Sequence, residues 1–156
     1  MIQQFDINTL PMEWYNKMMI HFNDALGIIK SDKYEKHLFE EEYVKYPTYF
    51  YFLVKNNEPL SMAIVQEEYS FSQDFEIGDC VFIDIVSSLG NGSGAKIIDF
   101  VLKRYEKKHI ELLPAICEDW LIPYYERFGF DQILDEDDDL DYMIKFNTTN
   151  VSFLSP

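Results

Sequence analysis

The chain has 156 residues, room for one domain with a core of its own, and 47% hydrophobic with 26% charged residues excludes disorder of the whole chain and low-complexity classes. Acidic residues number 28 against 13 Lys and Arg, a formal net charge of −15. A chain this acidic lacks the basic face that nucleic acid and anionic lipid require, and its field favours cationic small molecules or basic protein partners.

Nothing in the sequence reads as a linker or a repeat, so a single domain over 1–156 is expected, with 147–156 as a partly loose tail. The first element is a helix. Asn8 or Thr9 can cap it, and Pro11 suits its first turn. Trp14, Tyr15, Met18, Met19, Phe22, Leu26 and Ile29 then recur at helical spacing as one apolar stripe. Ser31 and Asp32 open a second, more polar helix that ends before Pro47. Residues 48–54 and 60–65 are rich in aromatic and β-branched side chains. They flank the turn residues Asn56 and Asn57, which predicts a β-hairpin over 48–66. The connection from Glu67 to Gly78 is polar, a place for a substrate-facing loop. Cys80 to Val86 follows as an apolar strand interrupted by Asp84.

Three glycines then fall within five residues, Gly90, Gly92 and Gly94, ahead of a helix whose Ile97, Ile98, Val101, Leu102 and Tyr105 share one face. The N–H groups of a first helical turn lack partners and the helix dipole is positive there, so bare backbone at this point can hold a phosphate or diphosphate. Ile110 to Cys117 reads as a strand that must be an edge or splay at Pro114. Trp120 to Phe128 reads as a short helix stopped by Gly129, and 130–134 with 142–146 as a closing hairpin around the acidic run 135–139. That run is most simply a solvated loop. The order predicts a mixed α/β sheet with helices on its faces.

Other chemistry is sparse. Cys80 and Cys117 are too few for a disulfide framework or a zinc site, and no metal site is expected. His21, His37 and His109 show no triad spacing and read as structural. The first residues lack a basic stretch followed by an apolar one, and no apolar run approaches about 18 residues, so a cytoplasmic protein is the expectation. The loop has no Walker pattern. Gly90, Gly92 and Ala95 formally satisfy a dinucleotide fingerprint, but the hairpin and helices before the loop are the wrong context for it.

Leu89-Gly90-Asn91-Gly92-Ser93-Gly94-Ala95-Lys96 resembles the acetyl-CoA loop of the GNAT N-acetyltransferases, with its pattern Gln/Arg-x-x-Gly-x-Gly/Ala, and Tyr125-Glu126-Arg127-Phe128-Gly129-Phe130 is similar to that family's second signature, Tyr-x-x-x-Gly-Phe. The resemblance covers roughly 48–146. It implies a mostly antiparallel sheet with a splayed parallel strand pair, and acetyl transfer from acetyl-CoA to an amine by direct attack. It also implies a diphosphate held by the amides of Leu89, Gly90, Asn91, Gly92, Ser93, Gly94 and Ala95 with Lys96 nearby, and a pantetheine arm laid along Ile85, Val86 and Ser87. Tyr125 would protonate the leaving thiolate, and Asp84, or Glu76, Asp79 or water, would take the amine's proton. The acceptor expected from the charge is cationic, and the assembly a monomer or homodimer. The other readings are a non-catalytic CoA-binding module of the same fold and an NAD-type oxidoreductase.

Overall fold

A computed structural model of the chain is described for residues 1–25, 41–70, 78–113, 121–133 and 142–147. Its strands are β1 (Ile2–Phe5), β2 (Thr48–Lys55), β3 (Glu58–Gln66), β4 (Cys80–Ser88), β5 (His109–Leu112), β6 (Asp131–Ile133) and β7 (Tyr142–Lys145). The helices are α1 (Met12–Ala25), the single turn α2 (Tyr43–Lys45), α3 (Ser93–Arg104) and α4 (Leu121–Glu126). The strands form one sheet in the order β1-β2-β3-β4-β5-β7-β6, antiparallel at every step except β4–β5.

The predicted hairpin closes through Asn56 and Asn57, both in the left-handed region at φ 52° and 62°. Two such residues make the turn whose twist matches paired strands. β1 was not expected, and it pairs antiparallel with β2 from Ile2↔Leu53 to Phe5↔Phe50. Asn8 and Thr9 do not cap α1. Their N–H groups go to Asp6 Oδ1 at 2.8 and 3.0 Å, and the Pro11 carbonyl starts the helix by accepting from Trp14 and Tyr15 N–H. Leu26, Ile29, most of the second expected helix, Pro114, Cys117 and residues 148–156 lie outside the described residues.

The sheet is buried on both faces by separate clusters. One carries Ile97, Ile98 and Val101 of α3 and Tyr125 of α4 against Ala63, Val65, Val81, Ile83, Ile110, Leu112 and Met143. The other carries Tyr15, Met18 and Met19 of α1 and Tyr43 of α2 against Phe50, Phe52, Met62, Ile64 and Ile85. Strand side chains alternate with period two, so Ile83 and Ile85 should share a face. They do not. Ile64 pairs with Ile85 while Val65 pairs with Ile83, which leaves Asp84 as an extra residue in β4. This β-bulge reverses the alternation, sending Ile83 to the α3 side and Ile85 to the α1 side.

Helix α3 is moored at its C-terminal end. Tyr105, just past its C-terminus, donates to Glu67 Oε2 at 2.7 Å and lies 2.5 Å from the Tyr51 hydroxyl of β2. Phe50 anchors the opposite face. It is fully buried, with the Tyr15 and Tyr43 rings edge-on to it at 5.9 and 5.4 Å. Replacing it with alanine removes a large buried ring, and Phe50→Ala is expected to lower unfolding free energy by about 3–5 kcal/mol in urea titration. A loss under about 1 kcal/mol would contradict the packing described.

Candidate active site

β4 has a parallel neighbour for only part of its length. Its pairing with β5 runs from Cys80↔His109 to Ile83↔Leu112 and stops there, while β4 continues to Ser88 beside β3. From Asp84 onward the strand therefore offers, among the described residues, an unpaired backbone edge on the side β5 has left. An extended ligand with amide groups can add to such an edge. The side chains of the three residues expected along a pantetheine arm point elsewhere. Ile85 lies in the α1-side core, Val86 packs partly buried on the α3 side, and the Ser87 hydroxyl donates to the Met18 carbonyl at 2.8 Å. Contact there would be through the main chain.

The edge leads directly into the glycine loop. Gly90, Asn91 and Gly92 have φ of 105°, 58° and 77°, three left-handed residues in succession. Gly94 is helical, and a Cβ there would lie 3.1 Å from Ser88 Cβ and 3.5 Å from the Tyr124 hydroxyl. Each glycine thus has a reason within the chain itself: conformation at 90 and 92, close approach at 94. What could suit an anion is the place of these N–H groups in the first helical turn, rather than the number of glycines. Gly92 caps α3 with no side-chain hydrogen bond. The Ser93 and Lys96 N–H groups close on the carbonyls of Gly90 and Gly92, both at 3.1 Å. Gly94 and Ala95 sit in the first turn, where N–H groups have no carbonyl one turn earlier, at the positive end of the helix dipole. Leu89, Asn91 and Lys96 are exposed around them.

The loop is braced by two hydroxyls. Ser88 Oγ accepts from Gly90 N–H at 3.1 Å and lies 2.7 Å from Ser93 Oγ, which donates to the Gly90 carbonyl at 2.6 Å. Ser61 of β3 donates to the Ser93 carbonyl at 2.9 Å. Ser93, buried and polar between the glycines, therefore ties the loop to itself and to the sheet.

Asp84 is half-buried, and desolvation raises its carboxyl to about 6 against an ordinary 3.8. The Tyr43 hydroxyl, donating to Oδ2 at 2.7 Å, opposes that rise, and the nearby Glu42 charge adds to it. Tyr125 is buried in the α3-side core with the Phe130 and Tyr124 rings edge-on, and burial raises its hydroxyl above the usual tyrosine range. Its neighbour Tyr124, half-buried and also raised by desolvation, is the tyrosine whose hydroxyl reaches the loop at Gly94. Tyr43 and Tyr124 were not singled out from sequence. Tyr124 immediately precedes the second signature, so the motif marked its segment; Tyr43 carried no signal. Asp79 is exposed at the start of β4, remote from the loop end of that strand, and Glu76 lies outside the described residues. Cys80 is buried, its thiol raised by desolvation, with Sγ 3.3 Å from Glu111 Oε1. His109 is buried under the Phe146 ring. Among the described residues no group of three or more His, Cys, Asp or Glu could hold a metal ion.

The raised Asp84 carboxyl has a consequence for stability. Its folded value lies above its unfolded one, so the unfolded chain ionises first as pH rises and stability is lost between about pH 4 and 6. Asp84→Asn removes that loss and can still accept from Tyr43. Denaturant unfolding should find the variant about 3 kcal/mol more stable than wild type at pH 7.5 and nearly the same at pH 4. Equal stabilities at both pH values would count against a desolvated carboxylate.

No family model matches the chain, and no curated protein is similar to it in sequence. Solved structures are similar in fold. PH1933 from Pyrococcus horikoshii OT3 aligns with a TM-score of 0.69 at 15% identity, over 95% of this chain and 99% of that one. An acetyltransferase of the GNAT family from Staphylococcus aureus Mu50 gives 0.65 at 14%, over 93% and 98%. The PaiA N-acetyltransferase from Thermoplasma acidophilum, in complex with coenzyme A, gives 0.61 at 12%, over 93% and 98%. The short parallel pair within an otherwise antiparallel sheet, and these alignments over nearly the whole chain, give it the fold of the GNAT acetyltransferases.

Proposed function

We propose that the protein transfers an acetyl group from acetyl-CoA to an amine. The observation that carries the reading is the unpaired edge of β4 running straight into the amides at the start of α3. The edge suits the pantetheine arm, at the main chain of Ile85, Val86 and Ser87. The first turn of α3 suits the diphosphate, at the amides of Asn91, Gly92, Gly94 and Ala95, since those of Gly90 and Ser93 are bonded within the loop, with Lys96 the nearest cation. A similar fold with coenzyme A bound supports the same ligand.

The chemistry follows from the groups beside that edge. A neutral amine attacks the thioester carbonyl carbon, the C–N bond forms, and the C–S bond breaks as the tetrahedral intermediate collapses. Asp84 takes the amine's proton directly or through water; with its carboxyl near 6 it is mostly ionised at pH 7 and basic enough to serve. Tyr125 supplies the proton to the leaving thiolate, and the raised hydroxyl keeps that proton at neutral pH. Tyr124, whose hydroxyl lies on the Cβ side of Gly94, is the alternative donor. The net charge of −15 favours a cationic acceptor, a polyamine or a basic peptide amine. A single domain working in the cytoplasm is part of the same reading.

Calorimetry with coenzyme A and thiol release from acetyl-CoA with a panel of amines test it. Binding is expected in wild type, with affinity at least about tenfold weaker in Gly92→Val, whose branched side chain opposes φ 77° and covers the amide. The tyrosine that donates should lose about 10²–10⁴-fold in kcat when changed to phenylalanine. Binding of coenzyme A without turnover of any amine would favour a CoA-binding module. Nicotinamide-nucleotide binding with no heat from coenzyme A would overturn the proposal.

A further inference from the structure

We infer that Tyr43 is a positioning residue for Asp84, holding one oxygen of that carboxylate so that the other is left to accept the amine's proton. This deepens the acyl-transfer reading and rests on it. Asp84 is the extra residue of the β4 bulge, so strand pairing on either side does not dictate where its side chain lies. A separate constraint has to do so. Tyr43 supplies it from α2, distant in sequence, with its hydroxyl donating to Oδ2 at 2.7 Å. Among the described residues Oδ1 makes no hydrogen bond. The Tyr43 ring is itself fixed, 2% exposed and perpendicular to Phe50 at 5.4 Å, so the hydroxyl is held by a packed aromatic pair and not by a mobile side chain.

The charged and titratable groups of this corner come from each element around Asp84. Glu42 and Tyr43 belong to α2 and its cap, Tyr69 follows β3, and Glu111 stands on β5, where Ser70 Oγ donates to it at 2.7 Å. Tyr69, on whose hydroxyl Glu42, Asp84 and Glu111 all act, is held protonated by burial and by those charges. α1 meets β4 further along, at the Ser87 hydroxyl and the Met18 carbonyl. Desolvation and the Glu42 charge oppose ionisation of Asp84, and the Tyr43 proton favours it.

The test compares wild type, Tyr43→Phe and Glu42→Gln, with Asp84→Asn used to assign the Asp84 carboxyl signal. Two quantities are read: the Asp84 titration in the free protein by carbon-13 NMR, and the acid limb of kcat/KM for thiol release. Tyr43→Phe keeps the ring on Phe50 and removes only the hydroxyl. It should move both upward by about one pH unit, so that kcat/KM below the limb falls about tenfold while the alkaline plateau holds. Glu42→Gln should move both downward. An Asp84 titration unchanged in Tyr43→Phe overturns the inference. A shifted titration with an unmoved acid limb, or a loss equal at every pH, overturns it too. Failure of the acyl-transfer reading looks different: wild type then releases no thiol with any amine, and the catalytic part of this inference falls with it, whatever the titration shows.

Discussion

The extra residue in β4 is the constraint on which the site depends. Before Asp84 the strand has β5 alongside it, and Val81 and Ile83 bury on the α3 side; after it no parallel neighbour stands among the described residues and Ile85 buries on the α1 side. A regular strand would keep its alternation, and an acid in the series of Cys80 and Phe82 would continue into a uniform face. The bulge instead puts a carboxylate where the parallel pairing ends. A half-desolvated acid, a strand edge unpaired among the described residues and a helix N-terminus thereby succeed one another within a few residues, in the order that the proposed base, backbone template and anion site require.

The loop absorbs a buried polar side chain between two of its glycines. Ser93 is buried there, and a lone buried hydroxyl would be a cost. Here it donates to the Gly90 carbonyl and meets Ser88, which in turn accepts from Gly90 N–H. The ring so formed spends the polar groups of the turn on one another. The first-turn amides of Gly94 and Ala95 stay outside it.

Much of this was legible from the residues. The paired aromatic and β-branched runs around Asn56 and Asn57 announced the hairpin, and the glycines before Ile97, Ile98 and Val101 announced the loop and α3. β1 was not legible, because Ile2-Gln3-Gln4-Phe5 lies at a sheet edge, half exposed, where two glutamines erase the alternation. The bulge was invisible for a different reason: Phe82-Ile83-Asp84-Ile85-Val86 is apolar on both sides of the acid, so a change of face leaves no mark in composition. Tyr43 reaches Asp84 only through tertiary packing, and no local pattern carries such a contact. The adjoining Tyr124 and Tyr125 differ by helix phase, and a signature read as letters does not say which of two neighbours turns inward.

The seven-stranded sheet also acts as a partition. The cluster under α1 and the cluster under α3 share no buried side chain, and the strands stand between them. Substitutions far apart and without common partners combine additively in their effect on folding. Changes to the α1 side, where Tyr43 and Asp84 meet, can therefore accumulate without disturbing the helix that presents the loop amides. If the protein transfers acetyl groups as proposed, such a molecule can diversify its acceptor on one face while conserving its hold on the donor across the other.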